Sequence, residues 1–163
     1  REGLRRKLPL VVAEGYVDVI AIQRSGTAAA VAPLGTALTE EQIALLWKLH
    51  DEPILCFDGD AAGQRAQMRA LERILPLLTP GKSARLAVMP EGKDPDDVLR
   101  ETGNDGFLKL LAVARSLVDS LWDALVGQHD LRQPESRARF WQEIRGQVRL
   151  IGNNQVRSAY GDE

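Results

Sequence analysis

Sulfur ligands and long apolar runs are scarce in this sequence. One cysteine, Cys56, stands among 163 residues. That count excludes an internal disulfide framework and any zinc site built on cysteines of this chain. Two histidines, His50 and His129, have no acids or cysteines at ligand spacing and read as structural or surface residues. No apolar run approaches the ~18 residues of a membrane span. No apolar segment with a cleavage site follows the basic stretch Arg1–Lys7, so a secretory signal is not expected and a cytoplasmic location is. Neither serine nor cysteine occurs in a nucleophile context, which leaves covalent catalysis without a candidate. The first residue is Arg rather than Met, and the chain is read as a piece of a longer protein.

What is present is a soluble composition, 44% hydrophobic and 27% charged, with a net charge of -2. The balance does not advertise nucleic-acid binding, but the charges are unevenly placed. Glu91 to Asp105 holds six acids against two bases, and Leu131 to Arg157 holds six arginines against two glutamates. Such asymmetry suits a cation site and a phosphate-facing surface, or merely solvated helix faces.

Four short β-like runs occur at Leu8–Ala13, Ala28–Val31, Pro53–Phe57 and Ala84–Val88. Helical patterns separate them. The first, through Val17, Ile20 and Ala21, stops near Gly26, a residue suited to a left-handed helix end. Thr39-Glu-Glu-Gln42 is a capping box ahead of Ile43, Leu46 and Trp47. A third helix carries the stripe Met68, Leu71, Ile74, Leu75, Leu78. Alternating strands and helices predict an α/β fold with a parallel four-stranded sheet flanked by helices. From Asp94 onward no strand-like run remains. Helices are expected over Asp94–Arg100, Phe107–Arg115, Leu117–Val126 and Pro134–Leu150, forming a helical subdomain. The division falls near Glu91-Gly92, giving units 8–92 and 93–163. Cys56, Trp47, Trp122 and Trp141 are read as packing residues.

Ligands of an open parallel sheet bind beyond the carboxyl ends of its strands. Glu14-Gly15 follows the first run, Asp58-Gly59-Asp60 the third, and Asp94-Pro95-Asp96 the fourth. Acids from three strands therefore reach one edge. Hard divalent cations want such oxygen ligands, and two ions could clamp an in-line phosphoryl displacement. Asp60 and Asp94 also stand where a carboxylate would simply cap a helix. Gly35 and Thr36, in Pro33–Thr39, are placed at the same edge, where backbone amides could take a phosphate. Arg65, Arg69 and Arg73 repeat every four residues along one helix face, a solvated face unless it adjoins the acids, in which case it is a nucleic-acid-facing stripe.

Glu14-Gly-Tyr-Val-Asp18, Pro33-Leu-Gly-Thr-Ala-Leu-Thr39, Phe57-Asp-Gly-Asp-Ala-Ala-Gly63 and Gly92-Lys-Asp-Pro-Asp96 occur in that order. The set closely resembles the Toprim region of bacterial DnaG-type DNA primase, from about Leu8 to Leu125. The resemblance implies an RNA polymerase that lays short RNA primers on single-stranded DNA from ribonucleoside triphosphates. It implies that Glu14, Asp58 and Asp60 are catalytic and bind Mg²⁺ or Mn²⁺, two ions, with Asp94 and Asp96 supporting the second. Asp18, Gly15 and Gly59 would stand just behind them. The zinc-binding domain, the basic upstream subdomain and the helicase-binding domain of a full primase have no counterpart in the sequence. So no zinc is expected here, and the replicative helicase would be met through a domain outside this chain. The fragment alone is expected to be inactive. A different Toprim enzyme, a topoisomerase or nuclease, and a non-catalytic Toprim binding module are the rival readings. Tyr16 and Tyr160 are unattractive as a topoisomerase nucleophile.

Overall fold

A computed structural model describes residues 8–33 and 38–162. Gly35 and Thr36 lie outside the described residues. Strands β1 (Leu10–Val12), β2 (Ala29–Val31), β3 (Ile54–Phe57) and β4 (Arg85–Val88) are parallel, and β5 (Arg115–Ser116) runs antiparallel at the β4 edge. The order across the sheet is β2-β1-β3-β4-β5. The fold is α/β, as the alternation of elements predicts. The fifth strand corrects the expectation that none follows Asp94. At two residues it is too short to show a period, and Arg115 belongs to it rather than to a helix.

The helices are α1 (Tyr16–Ser25), α2 (Glu40–Leu49), α3 (Ala61–Ile74), α4 (Pro95–Ala112), α5 (Leu117–Val126), α6 (Pro134–Arg149) and α7 (Asn154–Asp162). Their ends follow local chemistry. Gly26 closes α1 in the left-handed region, at φ 72°. At α2 the Gln42 amide donates to the Thr39 hydroxyl at 3.3 Å, and the Thr39 amide donates to Gln42 Oε1 at 2.9 Å. Gly103, at φ 68°, breaks α4 between its two expected helical halves. A 3₁₀ turn at Leu75–Leu77 follows α3, where Pro76 cannot continue the helical ladder.

Successive strand residues face opposite sides of the sheet, and this sorts the interior into two layers. Leu10, Val12, Leu55, Phe57 and Leu86 pack with α2, α3, α5 and α6, through Ile43, Leu71, Leu121 and Phe140 among others. Val11, Ala13, Ile54, Cys56 and Ala87 pack with α1 and α4 through Ile22, Val98, Phe107 and Leu111. Phe107 and Phe140 are completely buried, each worth about 1.5–3 kcal/mol of transfer free energy. Both faces being covered explains why the parallel strands read as unbroken apolar runs. Cys56 is buried, and burial pushes its thiol up to about 12, so it packs rather than reacts. Trp122 and Trp141 depart from the expected core role, with 38% and 42% of their surface exposed. Among the described residues no helix is long and apolar enough to cross a membrane.

Candidate metal centre

Register brings the acids together. β1 and β3 are neighbours, with Val11 beside Ile54 and Val12 beside Leu55. Glu14, two residues past β1, and Asp58, one past β3, therefore leave the sheet side by side. β4 lies on the other flank of β3, with Phe57 beside Val88. From its end the chain turns through Pro90–Lys93 to Asp94, so the third acidic segment reaches the same rim.

Two glycines let the backbone pass at this rim. A β-carbon on Gly59 would sit 1.9 Å from the Pro90 carbonyl oxygen, and one on Gly63 would sit 2.1 Å from that of Asp58. The Gly59 amide donates to Lys93 O at 3.0 Å, and the Gly92 amide donates to Gly59 O at 2.9 Å. The loop after β4 is thus clamped directly onto the Asp58–Asp60 turn. Sequence reading placed Gly59 behind the acids but missed this clamp. The small residues Gly59 and Gly92 were its only signal.

Asp60 and Asp94 each do the capping work that their positions suggest. Asp60 Oδ1 accepts from the Gly63 amide at 2.7 Å, opening α3. Asp94 Oδ1 accepts from the Asp97 amide at 2.7 Å, opening α4. Each carboxylate keeps a second oxygen for other partners. Asp18, 6% exposed, accepts from the Asp96 amide at 3.2 Å and so joins the first turn of α1 to that of α4. Asp96 itself lies 3.5 Å from Arg100. Gly15 is the N-cap residue of α1, and a β-carbon there would meet Asp18 Oδ2 at 2.7 Å.

The charges at the rim oppose one another. Asp58 is pushed up to about 6, first by burial, then by the negative charges of Glu14, Asp18, Asp94 and Asp60. Glu14 is raised by burial and by Asp60, with Arg69 pulling the other way. Asp18 is raised by burial, with Asp94 and Asp96 adding to it. Asp58 Oδ1 is buried and has no hydrogen-bond partner among the described residues. A buried carboxylate oxygen without a donor is costly and rare.

The donor set is all carboxylate, which suits a hard divalent ion and not zinc. Among the described residues, no three His, Cys, Asp or Glu side chains stand in an arrangement that could hold a metal ion between them. The rim is therefore open. An ion held here would complete its sphere with water and substrate oxygen, and the unpaired Asp58 oxygen is the atom it would meet. Arg69 lies beside Glu14, and together they line one wall of a cavity of about 250 Å³ whose other walls are apolar, among them Pro33, Phe57 and Ala66. Arg65 is exposed on the same helix, and Arg73 donates to Leu38 O at 2.7 Å.

The Toprim-like family model matches residues 11–99, more than half of the sequence, and the chain belongs to that family. Within it, the likeness is to bacterial DnaG-type primase, at the Toprim portion of the catalytic core. The DNA primase of Escherichia coli (strain K12) is 42% identical over 130 residues, which are 80% of this chain and 22% of that protein. A DNA primase domain from Pseudomonas aeruginosa matches with a TM-score of 0.89 at 37% identity, over 97% of this chain and 51% of that one. A DnaG primase catalytic domain bound to ssDNA matches with a TM-score of 0.85 at 34% identity, over 98% and 54%. The chain spans about a fifth of the length of the curated relative and about half of each solved chain.

Proposed function

We propose that this chain is the metal-holding part of a DNA primase, a template-directed RNA polymerase that makes short primers on single-stranded DNA. The observation that carries the reading is the Asp58 carboxylate, buried at one oxygen without a partner among the described residues and facing the negative charges of Glu14, Asp18, Asp60 and Asp94. Such a cluster persists at a cost unless cations neutralise it. Divalent ions, Mg²⁺ or Mn²⁺ and two in number, would neutralise the triphosphate and the charge developing at its α-phosphorus. Glu14, Asp58 and Asp60 would hold them, with Asp94 and Asp96 supporting the second.

The chain's own part is positioning and charge placement. Asp60 and Asp94 each spend one oxygen on a helix N-terminus, which fixes the direction of the other. Asp18 holds α4 against α1. Gly59 and Gly63 bring the backbone of the Asp58 turn close to its neighbours. Arg69, beside Glu14, is placed to meet a phosphate oxygen, with Arg65 one turn away. Gly35 and Thr36 are proposed as phosphate contacts on their sequence position alone. In the reaction a primer 3′-hydroxyl loses its proton to solvent and its oxygen bonds to the α-phosphorus of a ribonucleoside triphosphate. The α–β anhydride bond breaks and pyrophosphate leaves.

Residues 8–92 are proposed as the Toprim catalytic unit and 93–163 as the helical subdomain of the same core. A preceding basic subdomain would hold the template, and a following domain would meet the replicative helicase in the cytoplasm. The fragment alone would therefore be inactive in primer synthesis. The test joins the chain to that upstream subdomain and measures ribonucleotide incorporation on single-stranded DNA. Asp58→Asn is expected to lower the rate by about 10²-fold or more. Equal rates in both proteins would remove Asp58 from the reaction. Full-rate synthesis by the isolated chain would overturn the proposed division of labour.

A further inference from the structure

The arginine-rich helix α6 carries a stripe that the carboxylate rim does not use. Arg137, Trp141, Arg145 and Arg149 recur every four residues and share one helix face. All four are exposed. Trp122, reaching over from α5, places its ring 6.0 Å from that of Trp141, inclined at 66°. Phe140, fully buried behind them, meets Trp122 at 5.0 Å and Trp141 at 5.3 Å, both edge-on. The two indoles therefore stand on a rigid backing.

The cations of the stripe are uncommitted. Among the described residues, Arg137, Arg145 and Arg149 have no ion pair and no side-chain hydrogen bond, whereas Arg139 is held by Glu143 at 2.9 Å. Three acids of α5 and α6 are already engaged, whereas Glu135, in the first turn of α6, has no ion pair among the described residues. Glu143 also takes His129 at 2.9 Å, Asp123 pairs with Arg115 at 2.7 Å, and Asp119 accepts from the Ser116 hydroxyl at 2.6 Å. The face thus presents open positive charge and two accessible aromatic rings together. From Arg137 to Arg149 the helix rises about 18 Å, the length of about five stacked nucleotides.

We propose that this α5/α6 face binds single-stranded DNA, with phosphates on the three arginines and a base stacked on Trp141. Flat rings and a row of guanidinium groups are the two components that sequence-independent single-strand sites combine. None of these residues belongs to the acidic rim, so the surface would act as a second hold on the strand. The proposal does not depend on metal binding at the carboxylates.

The test titrates the 163-residue chain with a twelve-nucleotide oligothymidylate in EDTA, reading intrinsic tryptophan fluorescence at several salt concentrations. Wild type is expected to bind with quenching. Trp141→Ala is expected to weaken binding about tenfold and to lose most of the quench. The triple variant R137Q/R145Q/R149Q replaces only exposed side chains, so it keeps the fold. It is expected to lower the slope of log K against log salt by about 2. Unchanged affinity and slope in both variants would overturn the proposal. So would binding that survives the triple variant but is lost in R65Q/R69Q, which would place the strand at the rim instead. Self-association of wild type that Trp141→Ala abolishes, with no oligothymidylate binding, would show that a second copy covers the face.

Discussion

Asp18 accepts a hydrogen bond from the backbone amide of Asp96, 3.2 Å away and 78 positions on. One buried carboxylate thereby closes the gap between the first and last acidic motifs of the chain. Asp18→Ala removes the acceptor and leaves that amide unpaired, at an expected cost of about 1–3 kcal/mol. Asp18→Asn keeps an acceptor oxygen and removes a negative charge from a crowded cluster, so its stability should stay within about 1 kcal/mol of wild type. Urea melts of the two variants in EDTA check this. An equal loss in both would mean that the charge, not the acceptor, holds α1 to α4.

The pH dependence of the metal-free chain follows from the sign of the shifts. Asp58 rises from its ordinary 3.8 to about 6, and Glu14 and Asp18 are raised too. A carboxyl raised on folding binds protons more readily in the native state. Its stabilising contribution is present below the unfolded value and is lost as pH climbs through the folded one. Stability in EDTA should therefore fall between pH 4.5 and 7. Asp58 alone contributes about 1 kcal/mol of the fall once solvent screening is allowed for. Asp58→Asn should flatten the slope and melt higher than wild type at pH 7. Stability rising over that window would contradict the crowding of the rim.

Gly59 has no room for a side chain. Its β-carbon would fall 1.9 Å from Pro90 O and 2.7 Å from Met89 O, both backbone atoms. Gly59→Ala should cost about 3 kcal/mol or more, because either the Asp58–Asp60 turn or the Pro90–Lys93 loop must move. Thermal melting measures the loss. A variant as stable as wild type would show that the two segments are not clamped.

Much of this was legible because the signals are local. The Thr39 capping box, the Gly26 helix end and the uninterrupted apolar strands each state their structure within a few residues. The rim was legible for a different reason, since parallel strands must deliver their carboxyl ends to one edge. Other features depend on partners far away in the chain. β5 is two residues held by β4, with no period of its own. Trp122 and Trp141 lie on helical stripes that read as core, yet Phe140 takes the buried place between α5 and α6, and the indoles are left partly outside. The roles of Asp60 and Asp94 were open at the sequence level, where capping and ligation predict the same residue, and the capping is what the hydrogen bonds show.

The central claim is that Glu14, Asp58 and Asp60 hold divalent ions, and Mn²⁺ binding tests it without any reaction. Calorimetric titration of the chain at pH 7 should show weak Mn²⁺ binding, displaced by Mg²⁺, with a matching rise in melting temperature by mass action. Asp58→Asn, similar in shape but uncharged, should weaken it at least about tenfold, in line with the loss of one carboxylate ligand. Identical Mn²⁺ affinity in wild type and Asp58→Asn would contradict the account.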